Sequence, residues 1–265
     1  MTTKTDTWSA LTPGEHVCWQ VSSPEEYVQG RRELMAHTSR VGGRLLILGA
    51  PPDGAAMGSA VSVLDPAPDA GSSGSPSGLL RAIGAKAHAA RRSGQALRVL
   101  AGMEYLLSPE ASLEELIMCE MELGELALRG ETVLVCAYSQ LVWKPTLLRD
   151  LAAVHSRVMG SRPRAAGFRL IQAGIDTWSL EGTVGFESRS AFSAALRGTL
   201  SRTPHARLRC GQLDLIDASA LRTLVETVNE ASGASLVLEQ ANETVLLAWQ
   251  MSGYAALGAP IEVRQ

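Results

Sequence analysis

The chain has 265 residues, with 24 Lys and Arg against 27 Asp and Glu, for a formal net charge of −3. Hydrophobic residues make up 46% and charged residues 19%, enough for ordinary cores, which excludes a mainly disordered chain. No basic excess exists to neutralise a run of phosphates, which argues against a dedicated nucleic-acid binder.

Coarse periodicity predicts alternating strands and helices, and at roughly 150 residues per domain the length is closer to two domains than one. In the first half, β-rich runs fall at 17–21, 44–48, 61–64, 97–100 and 132–137. Two of the helices between them are marked by their caps. In Ser23-Pro24-Glu25-Glu26, Ser23 caps, Pro24 suits the first helical position, and Glu26 is expected to return a bond to the Ser23 amide. Ser112-Leu113-Glu114-Glu115 repeats the box, and its helix runs to a stop near Gly130. Short buried strands alternating with helices favour a parallel sheet covered on both faces. The low-complexity stretch 65–78 reads as a surface loop.

The segment GSRPRAAG at 160–167 is small, basic and proline-bearing, and reads as a seam with helix before it and strand after it. Beyond it, strands are expected at 168–172, 178–181, 206–213, 235–239 and 261–264, with helices at 190–200, 221–231 and 243–251. A chain beginning near Ala165 is expected to fold by itself.

The run LDLIDASAL at 213–221 takes a strand directly into a helix whose Leu221, Leu224, Val225 and Val228 form one apolar stripe. Ser219 therefore sits at a helix N-terminus, where unpaired amides and the dipole accommodate a phosphate. The bland alternative is that Asp217 or Ser219 only caps the helix. Residues 168–265 resemble a STAS domain, the fold of bacterial anti-sigma-factor antagonists. The resemblance rests on LEG at 180–182, IDASAL at 216–221 and VLLAWQMSGY at 245–254. It implies that Ser219 is the phosphoacceptor and that Asp217, Ser219 and Arg222 face a partner. The implied partner is an anti-sigma factor with serine-kinase activity, of the histidine-kinase-like ATPase type. Ala218 and Ala220 stand where the family has a hydroxyl residue and a glycine.

Residues 11–160 resemble a MEDS domain, a sensory module named from regulators that respond to small organic compounds. The matching stretches are GEHVCW at 14–19, LRVLAGMEYLL at 97–107, Cys119-Glu120, and GETVLVCAY at 130–138. The resemblance implies a degenerate relative of the RecA-like P-loop ATPases. A working P-loop needs glycines and a lysine after the first strand; here the chain reads Ser22-Ser23-Pro24-Glu25-Glu26, and its carboxylates would repel phosphate. What remains is a ligand crevice at the carboxyl ends of the strands, to which the resemblance carries His16, Glu104, Tyr105 and Tyr138.

His16, His37, His88, His155 and His205 are too dispersed for a local metal motif, and no metal or cofactor is expected. Cys18, Cys119, Cys136 and Cys210 form no C-x-x-C pair and read as reduced thiols. No apolar run approaches the ~20 residues that span a bilayer, and MTTKTDTWSA has no apolar signal core. The expectation is a cytoplasmic, non-enzymatic regulator of α/β class. It joins a degenerate RecA-like parallel sheet flanked by helices (11–160) to a smaller STAS α/β domain (168–265). The alternative is a small-molecule or nucleotide sensor whose second half serves docking or homo-dimerisation only.

Overall fold

A computed structural model describes residues 8–49, 60–64 and 76–265. In chain order come β1 (His16–Val21), α1 (Pro24–Arg40), β2 (Arg44–Leu48), β3 (Val61–Leu64), α2 (Pro76–Arg92), β4 (Leu97–Gly102) and α3 (Leu113–Gly130). They are followed by β5 (Val133–Ser139), α4 (Pro145–Ala152), β6 (Arg157–Met159), β7 (Phe168–Gln172), β8 (Thr177–Val184) and α5 (Arg189–Arg202). The chain ends with β9 (His205–Ile216), α6 (Ala218–Glu230), β10 (Ser235–Glu239), α7 (Glu243–Ser252) and β11 (Ile261–Val263). It divides into two units: Met1–Ala111, Glu122–Leu148 and Ser156–Arg164 form one, and Ser112–Met121, Arg149–His155 and Ala165–Gln265 the other.

The first unit carries a six-stranded, all-parallel sheet in the order β3-β2-β4-β5-β1-β6, flanked by helices. β1 and β4 are buried at every position, as strands covered on both faces must be. Alternate residues select one face: Val17, Trp19 and Val21 of β1 pack with Val133, Val135 and Ala137 of β5, and with Leu34 of α1. The Trp19 ring meets Trp8 edge-on at 5.0 Å and stacks on Tyr27 of α1 at 5.6 Å.

Helix α1 comes this close because Gly30 has no side chain. A Cβ there would lie 2.4 Å from the Trp19 ring. Gly30→Ala is therefore expected to cost about 1–3 kcal/mol by overpacking, despite alanine's better helix propensity. Chemical denaturation followed by tryptophan fluorescence checks this; an unchanged or raised midpoint would contradict the tight crossing.

The second unit holds a five-stranded sheet in the order β11-β10-β9-β8-β7, with β7 antiparallel to β8 and the other pairings parallel. Along the first part of β9, buried Ala206, Leu208 and Cys210 alternate with exposed Arg207 and Arg209. That alternation marks a sheet with one covered face. Gly182 sits at a β-bulge in β8 with φ of +81°, and a Cβ there would lie 2.5 Å from the Gly167 carbonyl oxygen. Only glycine meets both demands.

Two expectations change. The helix expected before the seam is α4, but the three-residue strand β6, too short to show a period, intervenes, so the seam at 160–167 directly follows a strand. β9 continues to Ile216 and α6 begins at Ala218, three residues earlier than the apolar stripe suggests, because Asp217 is the cap. The expected loop 65–78 lies outside the described residues apart from its last three, which open α2. Among the described residues no helix is long and apolar enough to cross a membrane.

Candidate functional site

In the first unit, the loop between β1 and α1 occupies the position where a P-loop would hold phosphate. Ser23 caps α1, accepting a bond from the Glu26 amide at 3.2 Å. The Glu26 carboxylate does not return to the Ser23 amide as expected; it accepts from the Ser22 amide (2.8 Å), the Ser22 hydroxyl and the Ser161 amide (2.9 Å). Burial works to raise its pKa, and these bonds from Ser22 and Ser161 outweigh burial and hold it below the ordinary carboxylate value. A helix N-terminus attracts an anion, and here the chain supplies its own. The purified protein is therefore expected to show no ATP turnover above background, and Glu26→Gln none either. Turnover at the rate of a working P-loop enzyme, co-eluting with the protein, would overturn this reading.

The carboxyl edge of the sheet brings together only part of the expected crevice. Glu104 and Tyr105 lie in a 3-10 turn after β4. Glu104 accepts from the Ser139 amide at 2.6 Å and from the Trp143 indole N–H at 3.1 Å, so it clamps the end of β5. Tyr105 is 55% exposed and lies over Gly49 and Gly102, where a Cβ would strike its ring. Tyr138 is buried edge-on against Trp143, with centroids 5.0 Å apart. His16 does not belong to this edge. It opens β1 at the amino end, five residues and about 17 Å from the carboxyl end, and its ring is buried with Nε2 3.2 Å from Cys136 Sγ.

In the second unit, β9 delivers Asp217 to the corner where α6 starts. Asp217 Oδ1 accepts from the Ser219 hydroxyl at 2.7 Å and the Ala220 amide at 2.8 Å, while Oδ2 accepts from the Phe186 amide at 2.9 Å. Burial again works to raise the pKa; the bonds from Ser219, Ala220 and Phe186 prevail and hold the carboxyl below its ordinary value. Ser219, in the first turn of α6, is half-buried with its hydroxyl already directed at Asp217. Phe186 beside it is 70% exposed and carries the Arg189 guanidinium over its ring at 5.4 Å. Arg222 is exposed and paired to Glu226 at 2.7 Å, a surface pair of small energetic weight.

Sequence spacing did not point to two buried pairs of ligand-type side chains. Glu120 and His155 of the second unit stand 3.0 Å apart, and His16 with Cys136 of the first unit form the other pair. All four are buried groups with donor atoms suited to a metal ion. The signal was unreadable because the partners are 35 and 120 residues apart in the chain. Of the remaining thiols, Cys210 is buried and burial pushes its pKa up to about 12, so it is inert as a nucleophile.

No curated protein matches the chain. A family model described as MEDS, the methanogen/methylotroph, DcmR sensory domain, matches residues 15–156, more than half of the 265-residue chain. That match covers β1 through α4, including the loop filled by Glu26 and the clamp at Glu104. The chain belongs to the MEDS sensory-domain family.

Proposed function

We propose that the chain is a signalling regulator in which the MEDS sensory domain governs a C-terminal STAS-type interaction domain. On this reading the second domain is an anti-sigma-factor antagonist: it binds an anti-sigma factor with serine-kinase activity and so frees a sigma factor. It is a cytoplasmic binding module and not an enzyme.

The observation that carries the reading is the β9–α6 corner. A hydroxyl at the start of a helix lies beside an ionised cap and an exposed aromatic ring. Phosphate on Ser219 would add about 1.5–2 negative charges within reach of the Asp217 carboxylate, enough to spoil a surface matched to neutral serine. The alanine that replaces the family's glycine offers no obstacle, because Ala220 is wholly buried.

The test is capture from the native host with the full chain as bait, followed by phosphopeptide mass spectrometry after incubation with ATP. Recovery of a kinase that marks Ser219 supports the reading; a kinase that marks another residue, or none recovered, counts against it. A second reading, favoured by the sensory family match, makes the chain a small-molecule sensor whose second domain only docks or dimerises. A small molecule retained through purification, with no kinase captured, would favour it.

A further inference from the structure

Helix α1 leaves β1 at the carboxyl edge of the first sheet and carries Tyr27 and Arg31 about one turn apart on the same face. Helical side chains lean toward the helix N-terminus, so both reach back to that edge. The Tyr27 ring is anchored by its stack on Trp19. Arg31 is only 5% exposed. Its Nε has no hydrogen-bond partner among the described residues, and no described carboxylate pairs with it. Arginine stays charged even when buried, and a buried charge without a counter-ion is strongly unfavourable. The helix thus holds a cation that lacks its anion.

Two groups from the turn after β4 face the same point. Burial raises the pKa of the Tyr27 hydroxyl; the Arg31 charge works to lower it, while Tyr105 and Glu104 work to raise it, so all three act on it at short range. Glu104 is fixed there, since its Oε1 takes both the Ser139 amide and the Trp143 indole. The Tyr105 ring lies close against the edge, because a Cβ on Gly49 or Gly102 would come within 2.6 or 3.0 Å of its Cδ2. At 55% exposure its other side is open to solvent.

We propose that Arg31, Tyr27 and Tyr105 bind a small organic carboxylate, a site that rests on the reading of the first domain as a sensor and names what it senses. The Arg31 guanidinium offers the planar fork that takes both oxygens of a carboxylate, and this pairing satisfies the enclosed Nε. The tyrosine hydroxyls donate to the same group, and the open side of the Tyr105 ring receives the apolar body of the ligand. One negative charge is matched and two are not: Glu104 stands close by and Glu26 fills the loop between β1 and α1, so a phosphate is repelled.

The full-length protein is titrated with acetate, benzoate and inorganic phosphate, followed by calorimetry and by tryptophan fluorescence. At least one of the two carboxylates is expected to bind with Kd below ~1 mM, and phosphate at least tenfold more weakly. Arg31→Met, which keeps the buried stem, should weaken carboxylate binding at least tenfold, and Tyr105→Phe at least threefold. The carboxylate should raise the Tm of the wild type and leave that of Arg31→Met unchanged. In carboxylate-free buffer Arg31→Met should melt no lower than wild type, because it removes an uncompensated charge.

Folded wild-type protein that binds neither carboxylate overturns the proposal. Phosphate binding as tight as the carboxylates overturns the ligand class, and binding that persists unchanged in Arg31→Met overturns the role of Arg31. An Arg31→Met chain that fails to fold, or melts well below wild type, would show that Arg31 is satisfied within the fold and overturns the site. Kinase capture and the mark on Ser219 test the signalling role separately, so failure here leaves that reading standing.

Discussion

Ser219→Glu is expected to weaken binding of the captured partner at least ~10-fold, about 1.4 kcal/mol, whereas Ser219→Ala stays within roughly twofold of wild type. The difference follows from Asp217. Its Oδ1 already accepts the Ser219 hydroxyl at 2.7 Å, so a glutamate at 219 replaces a donor with a second anion beside an ionised cap. Either that side chain turns outward into the partner surface, or it displaces Asp217 from the Ala220 and Phe186 amides. Both outcomes change the face that the partner meets.

Alanine removes one hydrogen bond and leaves the cap in place, because the cap is Asp217 and not Ser219. Its cost should be about 1 kcal/mol or less. Asp217→Ala is the contrasting variant, expected to cost about 1–2 kcal/mol by releasing the helix cap and the Phe186 amide together. The Asp217 contribution also has a defined pH dependence. With a folded pKa below the ordinary 3.8, its stabilisation is complete above the unfolded value and is lost as pH falls through the folded one. Affinity measured with purified partner at neutral pH, and denaturant midpoints at pH 7 and pH 3, check these points. Equal binding by Ser219→Glu and wild type would reduce Ser219 to a spectator of a capped helix.

What the sequence made legible was governed by locality. Ser23 and Ser112 were readable as caps because each bonds the amide three residues on, a spacing visible in the chain. The reciprocal bond was readable for Glu115, which returns to the Ser112 amide at 2.9 Å. It failed for Glu26, whose carboxylate is drawn to Ser161, 135 residues away. His16 shows the same limit at the level of the site. Its motif marked it as noteworthy, but strand direction, which no local spacing reveals, put it at the amino end of β1 beside Cys136. β6 has three residues, too few to show a period, and is recruited by pairing with β1. Helix α6 was found three residues late because its apolar stripe begins one turn after its cap.

A chain cut to residues 165–265 is expected to be markedly less stable than the second unit within the full-length protein. That unit includes Ser112–Met121 and Arg149–His155, and α5 depends on the first of these segments. A Cβ on Gly198 would lie 2.4 Å from Met121 Sδ, and Met118 Sδ is also in contact range, so the helices meet closely at this glycine. Arg202 donates to the Met118 carbonyl at 2.9 Å, and Arg197 pairs with Glu114 at 3.5 Å. From the second segment, the Ala153 carbonyl accepts the Leu170 amide of β7 at 2.7 Å. Truncation removes all of these and uncovers the α5 surface around Gly198. Loss of the apolar contacts to Met118 and Met121 alone is worth about 3 kcal/mol. For a domain of about 100 residues that is a fall of more than ~12 °C in Tm. The measurement is calorimetry on the truncated chain and on the full-length protein, with binding of a hydrophobic dye to report the bared helix face. A truncated chain that melts cooperatively at the full-length temperature and binds no dye would show that residues 165–265 carry their own complete core. In the expected case, restoring Ser112–Met121 as a peptide should recover part of the loss, since the contacts it brings are apolar packing and a backbone carbonyl and not charge alone.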